Sequence, residues 1–334
     1  MPRVAVLLPA RDAAGTVRAA VLSILRQDFR DLSLVAVDDG SRDGTGAILA
    51  GLAARDRRIV LVQGSGEGIA GALNRGLARC DAEVVARMDA DDVAHPRRLR
   101  RQLEALDADP LLAAVGSRVR LFPRRVVAGG MARYAAWLNG LVTPGLVTRD
   151  LLVESPLVHP ASTIRRAALE EAGGWRDGDF PEDYDLWLRL SAAGHRLGNV
   201  PEVLLDWRES EERLTRTDGR YALPRHVALK AAWLAAGPLS DRREVVLWGA
   251  GETGRAFARA LAPHGVSVAL FLEVDQRKIG RKVLGVPVVS FEEAGRARGL
   301  PLLVAVGAPG ARDLIRAELA RQGFEEVRDY RCVA

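Results

Sequence analysis

Four short apolar runs, spaced by stretches of helical periodicity, limit the folds open to this chain. They are VAVLL (4–8) and LSLVAV (32–37), bounded by Pro, Asp and Gly, and the similar IVLV (59–62) and VVARM (84–88). Runs of this length and β-branched content read as buried strands. Between the first two, Val17, Ala20, Val21, Ile24 and Leu25 recur at the spacing of one helical face. Residues 45–54 and 69–79 read as helices in the same way. Strands alternating with helices predict a parallel sheet covered on both faces. The alternation restarts near Glu244, where EVVLWGAGETGRAFARAL reads as strand, Gly-rich turn and helix. VSVALFLEVD and LPLLVAVG supply further strands. A length of 334 residues suits two domains. The expected division is 1–210, a linker over 211–242 that is helical from about Leu223, and 243–334.

The middle of the first half is less regular. Pro96 suits the first turn of a helix running to about Asp107. RRLRRQ (97–102) reads as the solvated face of that helix. Residues 122–160 hold five prolines or glycine pairs in quick succession and predict loops and interrupted helices. Helical spacing returns over 164–172 and 183–193.

Composition removes several classes. No stretch reaches the eighteen or so apolar residues of a membrane span. The opening MPRVAVLLPARDAA reads as a first strand, not a leader. Two cysteines, Cys80 and Cys332, build neither a disulfide framework nor a Cys-rich zinc site. The expected location is cytoplasmic. A formal charge of +5 suits nucleotide phosphates or peripheral contact with anionic lipid at the inner membrane face. Nucleic acid is not an expected partner.

Acidic residues collect where two predicted strands end. Asp38 and Asp39 follow the second strand, in VDDGSRDGT. Asp89, Asp91 and Asp92 follow the fourth. Asp, Gly and Ser favour turns, and Asp43, Thr45 or Asp92 can cap a following helix. Both clusters nevertheless fall at the carboxyl edge of the sheet, where open α/β sheets bind ligands. Mg²⁺ or Mn²⁺ would offset the repulsion among the second set, since such ions take one or two carboxylates plus substrate phosphates. A phosphate loop of the G-x-x-x-x-G-K-[ST] type is absent. A third acidic set, Glu182, Asp183 and Asp185, opens a helix in DFPEDYDLWLRL. Acids favour a helix start electrostatically. They also suit a general base, which must reach the hydroxyl it deprotonates.

Taken together these segments resemble family-2 glycosyltransferases of the GT-A fold, over roughly residues 1–210. VAVLLPARDAAGTVRAAVLSILRQDF resembles the family's first strand, loop and helix, and LVAVDDGSRDGT its nucleotide-binding turn. GIAGALNRGL, ARMDADD, HPASTIRRAALEEAGGW and PEDYDLWLRL follow in the family's order. The resemblance implies a GT-A domain with a mainly parallel sheet. It implies that Pro9, Ala10, Arg11 and Asp12 border a nucleotide. Asp39, or else Asp38, would accept from a uracil or thymine imide, and Asp89 would face the ribose. Asp91 and Asp92 would hold the metal. Asp183 would be the base, oriented by Glu182. His159 and Trp175 would lie near the sugar or acceptor, or be merely packed. The implied reaction is an inverting transfer from a nucleotide-diphosphate sugar, UDP-sugars first and dTDP-sugars second. The acceptor would be a saccharide, a lipid-linked saccharide, a protein or a small metabolite. Processive synthases of the family often carry Gln-x-x-Arg-Trp and membrane helices. Neither is found, and LDWRES (205–210) is the nearest feature.

In the second half, Gly249, Gly251 and Gly254 have the G-x-G-x-x-G spacing after a strand and before a helix. Glu273 or Asp275 follows at the distance of a ribose-binding acid. A Rossmann-like domain for ligand binding or assembly is therefore expected, without a Tyr-x-x-x-Lys pair for redox chemistry; NAD(H) or a nucleotide is the alternative ligand left open. It resembles the small domains attached to sugar-modifying proteins. Two other functions fit parts of the chain. One is an NAD-dependent sugar-nucleotide oxidoreductase working through this second domain. The other is a non-catalytic sugar-nucleotide-binding scaffold, which would have no use for Asp39, Asp91 and Asp183.

Overall fold

The computed structural model describes all residues, Met1–Ala334. They form two compact units. The first comprises Met1–Thr148, Pro156–Gly178 and Glu182–Thr217, the second Arg149–Ser155, Asp179–Pro181 and Asp218–Ala334.

The first unit is built on an eight-stranded sheet. Its strands are β1 (Val4–Ala10), β2 (Leu32–Asp38), β3 (Ile59–Gln63), β4 (Val84–Arg87), β5 (Val93–Ala94), β6 (Leu112–Phe122), β7 (Thr163–Arg165) and β8 (Arg196–Arg208). Their order across the sheet is β3-β2-β1-β4-β7-β6-β8-β5. The first four pair in parallel, as the alternating pattern requires. The sheet beyond them is mixed. β7 is antiparallel to both neighbours, and β5 is antiparallel to β8. β6 and β8 pair in parallel, so the expected mainly parallel sheet is interrupted by antiparallel β7 and closed by antiparallel β5.

Helices α1 (Val17–Leu25), α2 (Thr45–Ala53), α3 (Gly68–Leu77) and α4 (Arg98–Ala108) connect the early strands. Val4, Val6 and Leu8 form one core with α1, α2 and α4, through Val21, Ile24, Leu49, Leu99 and Leu103. Leu7 and Val37 point to the other face, against α3. A Cβ on Gly76 would overlap Leu7 and sit 2.7 Å from Val37 Cγ2, so only glycine allows this approach. α5 (Gly129–Gly140), α6 (Pro144–Asp150), α7 (Arg166–Glu171), α8 (Glu182–Ala192) and α9 (Leu214–Thr217) follow. The segment expected to be loops and interrupted helices holds two short helices, α5 and α6, broken at residues 141–143.

The RRLRRQ stretch is only partly a solvated face. Arg97, Arg100 and Arg101 are exposed, but Arg98 and Gln102 are fully buried.

The second unit contains α10 (Leu223–Ala236), α11 (Glu252–Leu261) and α12 (Ala311–Arg321) around a six-stranded sheet. Its strands are β9 (Glu244–Trp248), β10 (Ser267–Glu273), β11 (Lys282–Val283), β12 (Val286–Ser290), β13 (Leu302–Val304) and β14 (Tyr330–Cys332). The order is β11-β12-β10-β9-β13-β14, parallel except for the β11–β12 hairpin.

Candidate active site

Register brings the first two acidic clusters to one rim. Asp38 lies opposite Ala10 on β1, and Arg87 opposite Leu7 on the other side of β1. The chain after Arg87 therefore continues beside the end of β1. β2 and β4 are each one strand from β1, so the two strands run about 9–10 Å apart.

On the β2 side, Asp39 is buried and its carboxylate accepts from three backbone N–H groups. Gly66 and Glu67 donate at 2.9 Å and Gly68 at 3.0 Å. It thus fixes the turn that starts α3. About four lone-pair sites on a carboxylate leave room for one further donor. Asp38 accepts from Ser41 N–H at 3.1 Å. Asp12 stands at φ 47° and accepts from Arg42 N–H at 2.7 Å, tying its loop to residues 41–43. Pro9 and Ala10 are buried at the end of β1, and Arg11 is exposed. Asp43 accepts from Thr45 N–H at 2.9 Å and Ala14 N–H at 3.0 Å.

On the β4 side, ligand atoms of Asp89, Asp91 and Asp92 lie within 4.8 Å of one another. Burial first, then Asp89, raises the Asp91 carboxyl to about 6. Burial, Asp89 and Asp91 push Asp92 well above the usual carboxylate range. Asp92 does not cap α4. Its Oδ1 accepts from Arg208 N–H at 2.7 Å, across the sheet, and its buried Oδ2 has no partner. Three acids crowded at one rim, one with an orphaned buried oxygen, make a donor set of hard oxygens that fits Mg²⁺ or Mn²⁺.

The cluster has built-in cations that the sequence reading passed over. Arg87 is buried and ion-paired to Asp89. Burial alone would lower its pKa, but Asp89, Glu182 and Asp92 raise it. Arg98 donates to the carbonyls of Arg87 at 2.6 Å and Ser162 at 3.2 Å. Burial lowers it to about 9, against the pull of Asp92. Arg208 Nε donates to Asp91 O at 2.7 Å, and its guanidinium lies 4.5 Å from the Phe122 ring centre. Arg213, stacked 4.3 Å over Trp207, acts on both Asp91 and Asp92 to lower their pKa. An Arg inside VVARM was the available signal for Arg87. Arg213 had none, because it sits beyond any strand or motif.

Arg87 also links the cluster to α8. Glu182, in the first turn of α8, is buried and acts on Arg87. His159 Nδ1 lies 3.7 Å from Glu182 Oε1, and His159 Nε2 accepts from Trp175 Nε1 at 2.9 Å. An Nε2 acceptor requires the proton on Nδ1, facing Glu182. Burial, then Arg87, holds His159 well below its usual pKa, so the ring is neutral. Both aromatic residues are buried, and they form one unit. Asn74 of α3 grips the Trp175 backbone, accepting from its N–H at 3.0 Å and donating to its carbonyl at 2.6 Å. Asp185 bonds Arg189 at 2.8 Å, and Arg189 bonds the Ala172 and Gly174 carbonyls. Asp183, next to Glu182, is half-buried and accepts from Tyr184 N–H at 2.8 Å.

In the second unit, Gly249 stands at φ 111°. A Cβ on Gly254 would overlap the Gly249 carbonyl, so this glycine sets how closely α11 meets β9. Gly251 faces open space. Glu273 accepts from Ala250 N–H at 3.1 Å, from Val274 and Asp275 N–H, and from Lys278 Nζ at 3.0 Å. The acid expected at a ribose is thus engaged in fixing the turn and the end of β10. Asp275 pairs with Arg277 at 3.0 Å.

Acids gathered at the carboxyl rim of a large α/β sheet, backed by buried arginines and a helix-borne acidic pair, mark this rim as the candidate active site of an α/β enzyme. The model for glycosyl transferase family 2 matches residues 5–173. The chain belongs to that family and is a glycosyltransferase. A Bacillus subtilis protein named as a glycosyltransferase, EpsE, is 30% identical over 246 residues, 72% of this chain and 85% of that one. Two solved structures share the fold. TarS of S. aureus with UDP-GlcNAc superposes with a TM-score of 0.57 at 18% identity, over 78% of this chain and 72% of that one. The Pyrobaculum calidifontis mannosyltransferase PcManGT, with GDP-Man and Mn²⁺, gives 0.55 at 19% identity, over 97% and 81%. No helix is long and apolar enough to cross a membrane.

Proposed function

We propose that the protein transfers a sugar, with inversion, from a nucleotide-diphosphate donor to an acceptor hydroxyl, using a divalent cation at Asp91 and Asp92. The observation that carries this reading is the Asp89–Asp91–Asp92 cluster with its unpartnered Asp92 oxygen. Bound there, Mn²⁺ or Mg²⁺ supplies countercharge to the donor diphosphate.

The chain's own residues do the rest. Asp39 reads the base through its remaining lone pair, with Asp38 behind it, while Pro9, Ala10, Arg11 and Asp12 border the nucleotide. Asp89 faces the ribose. Arg213 adds positive charge beside the diphosphate. Asp183 takes the proton of the attacking hydroxyl. Glu182, fixed between Arg87 and the Nδ1–H of His159, orients the acceptor, and Trp175 holds that histidine in its tautomer. A UDP-sugar is the favoured donor, supported by the UDP-GlcNAc bound to TarS. GDP-Man in PcManGT makes a guanine donor the comparison arm. The acceptor is a saccharide, free or lipid-linked, met in the cytoplasm or at the membrane's inner face.

The second unit supports a Rossmann-like assignment without redox chemistry. Its parallel strands run in the order 3-2-1-4-5 of that fold when counted along the chain.

Titration calorimetry of UDP and GDP, each with and without Mn²⁺, tests the reading. Mn²⁺ should tighten UDP binding about tenfold or more, as one added charge contact of about 1.4 kcal/mol implies. Asp91→Asn should remove that gain. Metal-independent binding of equal strength in both proteins would overturn it.

A further inference from the structure

The second unit holds a cavity of about 380 Å³ at the amino ends of β13 and β14. Ligand pockets start at about 300 Å³. Leu234, Leu239, Leu302 and Phe324, all buried, supply the apolar part of its wall. The carboxyl rim, onto which the Gly249 turn opens, is the opposite edge of the sheet. This cavity is therefore separate from a site at that turn and makes no use of the acid cluster.

The charge lining it is one-sided. Four arginines, Arg242, Arg298, Arg328 and Arg331, face a single carboxylate, Asp329. Asp329 is already engaged by Arg328 at 2.8 Å and by Glu325 N–H at 2.8 Å. Arg298 donates to Gln322 O at 2.7 Å and lies 4.9 Å over the Phe324 ring. Arg242 pairs with Asp241 at 3.4 Å.

Arg331 differs from these three. Tyr330 and Cys332 are buried on one face of β14, so Arg331 emerges on the other, half-buried among the lining residues. No carboxylate pairs with it and no carbonyl accepts from it. Burial lowers its pKa with no opposing charge. A guanidinium partly withdrawn from water is costly unless an anion or acceptor meets it.

We propose that this cavity binds a small organic anion, a phosphoryl or carboxylate group on an apolar body, with Arg331 as its anchor. The planar guanidinium takes either group through two parallel N–H bonds. The apolar walls take the body, and Arg298 and Arg328 rim the entrance.

The test uses the full-length protein in metal-free buffer, with phenyl phosphate, benzoate, orthophosphate and phenol as calorimetric probes. Phenyl phosphate or benzoate should bind saturably. Whichever of the two binds identifies the anionic group. Orthophosphate and phenol, each carrying half the chemistry, should bind at least about tenfold more weakly, since each forgoes one set of contacts. Arg331→Leu should weaken binding of the aryl anion by about tenfold or more, and Arg331→Lys should fall between. Circular dichroism and the melting temperature establish that both variants are folded. Asp91→Asn should bind the probe as the unaltered protein does, which separates this cavity from the catalytic cluster. Equal affinity in the unaltered protein and Arg331→Leu would overturn the proposal. So would failure of both aryl anions to saturate, or loss of their binding in Asp91→Asn.

Discussion

Asp183 and Glu182 are neighbours on one helical turn with different surroundings. Glu182 is buried and acts on Arg87, while Asp183 is half-buried at the surface of α8. A base must be open to the hydroxyl it deprotonates and must release its proton afterwards, which favours the more open residue. Asp183→Asn should cut the transfer rate by about 10²- to 10⁴-fold, the usual worth of a general base. UDP affinity should stay within about twofold, because the donor's charge is met elsewhere. Rates from a coupled UDP-release assay, set beside calorimetric affinities, check this; a matched loss in both would remove Asp183 from the proton step. The carboxylates of the candidate site were legible because several acids in VDDGSRDGT, ARMDADD and PEDYDLW cannot all be explained as caps. The cations that make the cluster tolerable were not. Arg98 sits in a run of arginines whose other members are solvated, and nothing local separates it from them. Only folding shows that it donates to the carbonyls of Arg87 and Ser162.

At the scale of elements, β1, β2 and β4 were readable because strands buried on both faces are nearly continuous apolar runs, and β3, half-exposed at the sheet edge, by its β-branched content. β6 and β8 were not. β6 carries Gly116, Ser117, Arg118 and Arg120, and β8 carries Gly198, Asn199 and Pro201. Their ladder shifts register around Ser117 and Arg118, and a strand tolerates proline where its ladder is irregular. A pattern read one strand at a time cannot anticipate a pair that compensates for each other's irregularities. Helix α3 shows the opposite case, where one small residue sets an interface. Gly76 lies against Leu7 and Val37, and an added methyl has nowhere to go. Gly76→Ala gains about 1 kcal/mol of helix propensity. Overpacking of this kind costs about 1–3 kcal/mol, so the net change should be destabilising. Because α3 also carries Asn74, the grip on Trp175 should loosen with it. Urea denaturation should give a lower midpoint for the variant, and a raised midpoint would show that α3 can move off the sheet freely.

Across the whole molecule, the chain does not pass once from one unit to the other. Residues 149–155 belong to the second unit although the first resumes at Pro156. Charges hold that short segment there. Asp150 is paired with Arg316, and Arg316 with Glu326 at 2.9 Å. Glu154 lies 3.1 Å from His226, and buried Lys230 donates to Val153 O at 2.7 Å. Burial alone would raise Glu154, but the His226 bond and the Lys230 charge win and bring it from 4.5 to about 2. Burial lowers Lys230 from 10.5 to about 8, against the pull of Glu154. The signs follow from which state binds more protons. Between pH 4.5 and about 2 the unfolded chain takes up the Glu154 proton first, so this stabilisation is present above pH 4.5 and is lost on acidification. Between pH 8 and 10.5 the unfolded chain again holds more protons, on Lys230, so stability from this group rises with pH. Both limbs should change in Glu154→Gln. The acid limb should flatten, because the group that titrates is gone. The alkaline limb should begin below pH 8, because Lys230 loses the carboxylate that supported its charge. At neutral pH the variant should be less stable by about 1–3 kcal/mol, the usual cost of breaking a hydrogen bond to a charged group. Melting temperatures from pH 3 to 10 measure all three effects, and an acid limb of unchanged slope would mean that the segment is held by something other than this charge pair.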